Sequence, residues 1–210
     1  MIDEPHKVVL LGESNVGKID IIVQYSLGYW DPDKVNYMSA QFVRKTLDLE
    51  DGKSITLDIW DTPGQEQYRS LSKIICMRAE AIIFVYDITN KKTFTELKEY
   101  WYPQIINGEK KEVVLVVAGN KNELYQQQEI SNGEAEEWAK SIGAVFFSIS
   151  VKGDNGIKEM FKYIGKKLLN PEFDYYANLP NKKIKNKTND EKKIKNKTNE
   201  KKDDKKCLIY

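Results

Sequence analysis

Cysteine and histidine are scarce in this chain, with two Cys and one His among 210 residues. Cys76 and Cys207 make neither a disulfide framework nor a thiolate cluster, and His6 without any Cys/His spacing argues against a zinc site. Long apolar runs are missing as well. No stretch approaches the roughly 18–20 apolar residues that span a bilayer. The opening MIDEPHK is acidic and lacks an apolar run, so no secretory signal is expected. We therefore expect a cytosolic protein whose N-x-T sequons, at Asn186 and Asn196, never meet glycosylation machinery. Net charge is almost absent too, at +1. That balance hides an asymmetry: residues 181–206 carry twelve Lys against five Asp/Glu, or +7, which leaves −6 on residues 1–180. Blocks of like charge mark solvated interaction tails.

What is present is the material of one ordinary domain with an extension. Hydrophobic residues make up 40% of the chain, enough for a core. Short β-branched runs alternate with helical patterns. KVVLLG (7–12), AIIFVYD (81–87), VVLVVAG (113–119) and AVFFSIS (144–150) read as strands. The second and third are continuously apolar, which requires a sheet covered on both faces. QFVRKTLDLE (41–50), the turn DGKS and ITLDIW (55–60) read as a β-hairpin. Helices are expected from the first glycine-rich turn to Leu27 and over 65–76, 91–106, 131–142 and 154–169, with Ser131 and Glu134 placed as a capping box. Alternation of this kind predicts a doubly wound α/β fold with a six-stranded, mostly parallel sheet and one antiparallel strand. The pattern stops beyond Pro171. KKIKNKTN occurs twice, at 182–189 and 192–199, a polar repeat that cannot bury a core. The predicted organisation is a domain over 1–170, a disordered Lys/Asn-rich tail over 171–206, and a terminal motif over 207–210.

Four loops carry candidate chemistry. LLGESNVGKIDII (10–22) places Gly12, Gly17 and Lys18 as G-x-x-x-x-G-K between a strand and a helix. Backbone N–H groups converging at a helix N-terminus favour an anion, and Lys18 adds a full positive charge. The structural alternative is a glycine-rich turn that binds nothing. WDTPGQEQY (60–68) follows the third strand: Asp61 would hold Mg²⁺ through water, Gly64 would offer its N–H to a terminal phosphate, and Gln65 would orient a hydrolytic water. GNKNEL (119–124) and SVKG (150–153) end the fifth and sixth strands. Ligands in open α/β sheets bind outside the carboxyl ends of strands, so all four loops converge on one edge. Either of the last two alone would be an ordinary loop; in this order they describe a nucleotide pocket.

The order GESNVGK, WDTPGQE, GNKNE and SVK resembles the Ras superfamily of small GTPases over about residues 6–169, and Trp60 with the loop spacing resembles its Rab branch. The resemblance implies the Ras-like P-loop GTPase fold, GTP/GDP with Mg²⁺, hydrolysis of GTP, and partners in vesicle traffic that read the GTP-bound form. It implies nucleotide contacts from Gly12, Asn15, Val16, Gly17, Lys18, Ile19, Asp20, Asp61, Gly64, Asn120, Lys121, Glu123, Ser150, Val151 and Lys152, with Gln65 catalytic. No nucleic-acid partner is expected. A P-loop ATPase or kinase is the remote third reading, since a base-reading loop is present and a lid segment is not.

Four positions depart from the pattern. Ile19 stands where the family has the Mg²⁺-ligating Ser/Thr, and an alkyl group cannot coordinate a hard cation. Asp20 is adjacent, yet neighbouring helix side chains diverge by about 100°, so Asp20 is expected to complement the helix dipole instead. Counting back from Phe42, the switch I threonine aligns with Tyr37, with Ser39 two residues off register. Glu123 replaces the Asp of N-K-x-D, and its extra methylene misplaces a bidentate grip on guanine. Pro63 replaces a small residue and restrains Thr62 toward extended backbone. Together these predict a weakened metal site and slow hydrolysis, or a scaffold of the same shape that binds trafficking partners without turnover.

Phe42 and Trp60 match two aromatic positions of the Rab partner surface, and the third falls on Cys76. Hairpin packing would use the same aromatics. The chain ends Cys207-Leu208-Ile209-Tyr210, which matches C-a-a-X prenylation although Tyr lies outside the usual X set. One prenyl chain anchors marginally, and the lysines upstream would supply the second signal for peripheral attachment to endomembranes.

Overall fold

A computed structural model describes residues 4–30, 42–50, 52–106 and 113–178. The chain divides into two units, Met1–Glu172 and Phe173–Tyr210. The first contains β1 (His6–Leu11), α1 (Lys18–Leu27), β2 (Phe42–Asp48), β3 (Ser54–Trp60), α2 (Arg69–Cys76), β4 (Ala81–Asp87), α3 (Lys91–Glu96), α4 (Tyr102–Ile106), β5 (Val114–Asn120), α5 (Asn132–Ser141), β6 (Val145–Ser148) and α6 (Ile157–Leu169). A π-helical turn, Leu97–Trp101, joins α3 to α4. In the second unit, Tyr176–Asn178 forms a single 3₁₀ turn, so local order runs slightly past Pro171. Among the described residues no helix is long and apolar enough to cross a membrane.

The sheet order is β2-β3-β1-β4-β5-β6, with β2 antiparallel to β3 and every other pairing parallel. Burial explains this arrangement. All seven residues of β4 are buried, as a strand covered on both faces must be. β3 alternates buried and partly exposed residues, while edge strand β2 buries none. On the hairpin surface Arg44 grips Asp58 with two hydrogen bonds of 2.7 and 2.8 Å across the register Arg44↔Asp58. Such an exposed pair adds little to stability.

One face of the sheet packs Phe84, Tyr86, Phe94 and Trp101, all fully buried, with Trp138 edge-on to Phe94 at 5.3 Å. On the other, α1 packs on α6 through Tyr25 stacked on Phe161 at 3.9 Å. α5 starts where the capping pattern placed it, with Ser131 Oγ accepting from the Glu134 N–H at 3.1 Å. α6 begins at Ile157, three residues later than expected. An antiparallel bridge between Ser150 and Asn155 and a left-handed Gly156 hold the preceding loop out of the helix.

For function, the decisive feature is the reversal of strand order at β1, which has β3 on one side and β4 on the other. A crevice opens at such a point beyond the carboxyl ends of the strands. The loops after β1, β3, β5 and β6 all end there.

Candidate functional site

The loop after β1 has a backbone that few side chains allow. Gly17, the N-cap of α1, has φ 91°, and a Cβ there would lie 2.4 Å from Asn120 Nδ2. At Gly12 a Cβ would lie 2.2 Å from the Val85 carbonyl oxygen. Asn15 adopts φ 63°, a conformation asparagine tolerates better than most residues. No side chain caps the N-terminus of α1, so its first N–H groups have no partner of that kind. α5, by contrast, is capped by Ser131.

Lys18 folds back over this loop. Its Nζ donates to the Gly12 and Glu13 carbonyls, each at 2.8 Å, and the side chain is buried. Desolvation lowers its pKa, against the pull of Asp61 and Glu13. Val16 is fully buried, and its carbonyl accepts from Asn120 Nδ2 at 2.9 Å. Lys121 Nζ reaches the Asn15 carbonyl at 3.0 Å and pairs with Asp87. The loop after β5 is thus strapped to the loop after β1, as the predicted convergence requires. Ser150 is buried and donates from Oγ to Glu123 Oε2 at 2.5 Å, while the Gly153 N–H donates to Ser150 Oγ. Val151 is buried beside it, and Lys152 is exposed.

Asp61 leaves the end of β3 with a buried Oδ1 that has no hydrogen-bond partner. Desolvation raises its pKa, opposed by Lys18 and the Thr62 N–H, and Asp20 pushes it further up. Thr62 Oγ1 donates to the Leu10 carbonyl at 2.6 Å, and the Pro63 carbonyl accepts from Ser72 Oγ at 3.0 Å. Pro63 therefore sits in a segment pinned on both sides. A Cβ on Gly64 would lie 2.4 Å from the Glu13 carbonyl carbon and the Ser14 nitrogen, so glycine alone permits this approach to the phosphate loop. Gln65 is not brought in. Its side chain is exposed, and its Oε1 accepts from Gln67 Nε2 at 3.0 Å.

Ile19 is half-buried and presents no oxygen. Asp20 stands in the first turn of α1. Helical side chains lean toward the N-terminus, and its Oδ2 lies 3.5 Å from where a Gly17 Cβ would be. Its Oδ1 accepts from Trp30 Nε1 at 2.9 Å. Tyr37, Ser39 and Cys207 lie outside the described residues.

Several participants escape sequence reasoning. Glu13 accepts from Trp101 Nε1 at 2.9 Å and from Arg69 Nη2 at 3.0 Å; Arg69 also pairs with Glu96 at 2.8 Å and lies 3.9 Å above the Tyr100 ring. This network ties the phosphate loop to α2 across 56 positions of sequence and to the π-helical turn across 88, which no spacing rule reveals. On the hairpin, Phe42 stacks on Trp60 at 4.7 Å, whereas Cys76 is tucked against the core and its thiol is pushed up to about 12 by burial. Leu71, Ile74 and Met77 are exposed beside it, 44%, 62% and 65% respectively. Their spacing of three was the available signal: an amphipathic helix edge with its apolar side in solvent.

The Ras family pattern matches residues 7–170. The chain is 35% identical over 163 residues to Ras-related protein Rab-21 of Homo sapiens, covering 78% of this chain and 72% of that protein. It is 37% identical to Rab-21 of Geodia cydonium, covering 78% and 70%. With GTP-binding protein ypt5 of Schizosaccharomyces pombe it shares 34% identity, covering 77% of each chain. Six strands in this order, the four loops at one edge and these relatives agree. The chain belongs to the Ras family of small GTPases, in its Rab-like branch.

Proposed function

We propose that the protein binds GTP and GDP at the edge where its four loops meet, hydrolyses GTP slowly, and regulates membrane traffic through partners that read the bound nucleotide. The observation that carries this reading is the strap from Asn120 and Lys121 to the Val16 and Asn15 carbonyls, which joins a base-reading loop to a phosphate loop. Both ends suit the ligand. The glycine-only cradle and the uncapped start of α1 suit phosphate oxygens, with Lys18 supplying charge. At the other end Glu123, fixed by Ser150, keeps a second carboxylate oxygen for donors on a base edge.

Mg²⁺ fits less well. Asp61 offers one buried, partnerless oxygen, Ile19 offers none, and among the described residues no three His, Cys, Asp or Glu groups gather. The metal, when bound, neutralises charge between phosphates. Asp61 is the group that would hold it through water, in a site weakened by Ile19. Gln65, the proposed water-orienting residue, must leave Gln67 to act. A scaffold that keeps its nucleotide without turnover is the second reading, favoured by the same two features, Ile19 and the outward Gln65.

Phe42, Trp60 and the exposed edge of α2 would present the partner surface. Cys207 with the lysine-rich tail would hold the protein at the cytosolic face of endomembranes. The direct test is to denature the purified protein and identify the released nucleotide, then follow one turnover of loaded GTP. Guanine nucleotide and slow, Mg²⁺-dependent turnover are expected. Turnover at ordinary small-GTPase rates would remove the impairment, and retained GTP without turnover would select the scaffold.

A further inference from the structure

β4 ends in a buried acid that none of the four nucleotide loops includes. Asp87 is the last residue of that strand and lies in register with Asn120 at the end of β5. Its two carboxylate oxygens have separate tasks. Oδ1 accepts from the Thr89 N–H at 2.9 Å and from Thr89 Oγ1 at 2.7 Å, which fixes the plane of the carboxyl group. Oδ2 accepts from Lys121 Nζ at 2.5 Å, in an ion pair whose side chains are 11% exposed on the acid and 31% on the lysine. The turn that follows is tied as well. The Asp87 N–H donates to Thr93 Oγ1 at 3.1 Å, and the Asn90 N–H donates to the Asp87 carbonyl at 3.0 Å. A charge-assisted bond to a carboxylate already held by two other donors is strong and directional.

The other bond of the Lys121 ammonium goes to the Asn15 carbonyl, at 3.0 Å. Among the described residues four other than glycine have a positive φ. Lys121 at 68° and Asn15 at 63° are two of them, and this one hydrogen bond joins them. Left-handed backbone is uncommon outside glycine and persists where the surroundings over-determine it. The Asn15 carbonyl shares a planar trans peptide with the Val16 N–H, so the two point in opposite directions. Drawing the carbonyl onto Lys121 therefore turns the Val16 N–H away from Lys121. We infer that Asp87 is a positioning residue for the phosphate cradle: it anchors Lys121, and through Lys121 the Asn15–Val16 peptide, so that the Val16 N–H is aimed before a phosphate arrives. Such a role rests on the nucleotide-binding reading above. Pre-organisation of this kind lowers the ordering cost of binding. A bare negative charge near a polyphosphate would act the other way. Removing an anchor loosens the nucleotide, whereas removing only a repulsion tightens it.

The test follows GDP dissociation from the full chain, with Mg²⁺ supplied, in the parent, Asp87→Asn, Lys121→Met and the double variant. In parallel, the Val16 amide is recorded by ¹H–¹⁵N NMR on valine-labelled protein stripped of nucleotide, with Val16→Ile to assign it. Asp87→Asn keeps an acceptor oxygen for Thr89 and loses the charge that holds the ammonium. It is expected to speed GDP release about 10-fold, the scale of one hydrogen bond to a charged group. In the Lys121→Met background the same change should add less than about twofold, because the carboxylate then has nothing to hold. The Val16 amide should move in Asp87→Asn without nucleotide. Should Asp87→Asn fail to fold, Thr89→Val removes one donor from the carboxylate, leaves Lys121 in place and should speed release about threefold. Multiplicative losses in the double variant would make Asp87 a strut of the sheet edge and overturn the inference. Slower release from Asp87→Asn would reduce the acid to a repulsive charge and overturn it too, as would an unmoved Val16 amide. A parent protein that binds no GDP would overturn the nucleotide reading and this inference with it, whereas a parent that binds GDP with multiplicative losses in the variants removes this inference alone.

Discussion

Lys18→Met is expected to weaken GDP binding by about 100-fold or more, while the nucleotide-free protein stays as heat-stable as the parent or becomes more so. The two halves of this result have one origin. Lys18 is buried under the phosphate loop, and desolvation holds its pKa below the usual 10.5 despite Asp61 and Glu13. Its folded pKa is thus depressed relative to the unfolded chain. For such a group the favourable contribution is present above the unfolded value and lost as pH falls through the folded one. Below that window the empty protein carries the charged ammonium at a cost. Phosphate oxygens supply the missing counter-charge. Truncating one partner of a desolvated charge pair costs about 2–5 kcal/mol of binding, or about 30- to several-thousand-fold. Met preserves the aliphatic stem, so packing changes little; two carbonyls, of Gly12 and Glu13, lose a donor, which limits any gain in melting temperature. Calorimetric titration paired with thermal melts reads both halves. Equal loss of affinity and of melting temperature would mean that Lys18 only holds the loop together.

Ile19→Ser is expected to lower the Mg²⁺ concentration needed for tight GDP retention by about 10-fold, since a ligand oxygen in place of an alkyl group is worth about 1–3 kcal/mol. Ile19 is half-buried in the first turn of α1, next to Lys18, and Asp61 brings a buried, partnerless oxygen from the end of β3. The substitution also removes apolar area, so the empty protein should lose about 1 kcal/mol of stability. Opposite signs in the two measurements separate metal chemistry from packing. Nucleotide dissociation measured across a Mg²⁺ series checks the first, and unchanged metal dependence would show that the defect lies elsewhere.

The alternation of strands and helices was legible because β4 and β5 are continuous apolar runs that only a doubly covered sheet explains, and because Ser131 announces α5. The convergence of the four loops on one edge was legible as well, whereas the strand order that puts β1 at the switch point was not. Boundaries moved where tertiary bonds outweighed local pattern, as at Ile157. Asn120 and Lys121 donate to the Val16 and Asn15 carbonyls, partnerships that the motif spacing did not announce. What stayed hidden was partnership across sequence distance. Glu13 reads as a variable loop residue until Arg69 and Trp101 close on it. Trp30 reads as a chance aromatic until Asp20 accepts its N–H. Cys76 was placed at the partner surface by alignment, yet it is tucked against the core while Ile74 and Met77 stand in solvent nearby.

The Glu13–Arg69–Glu96 network gives the phosphate loop a physical connection to that surface. One guanidinium serves two carboxylates, with side-chain exposures of 17% for Arg69, 17% for Glu13 and 25% for Glu96. Partly buried pairs of this kind are screened less by salt than surface pairs, so α2 is held to the loop in ordinary buffers.

In the proposed function this cradle holds a guanine nucleotide although the side chain after Lys18 is aliphatic. Titrating GDP and ADP separately into stripped protein in a calorimeter, with Mg²⁺ supplied, tests it most directly. Saturable one-to-one heat with GDP and a markedly weaker response to ADP are expected. No heat with either purine nucleotide, from protein that melts cooperatively, would contradict it.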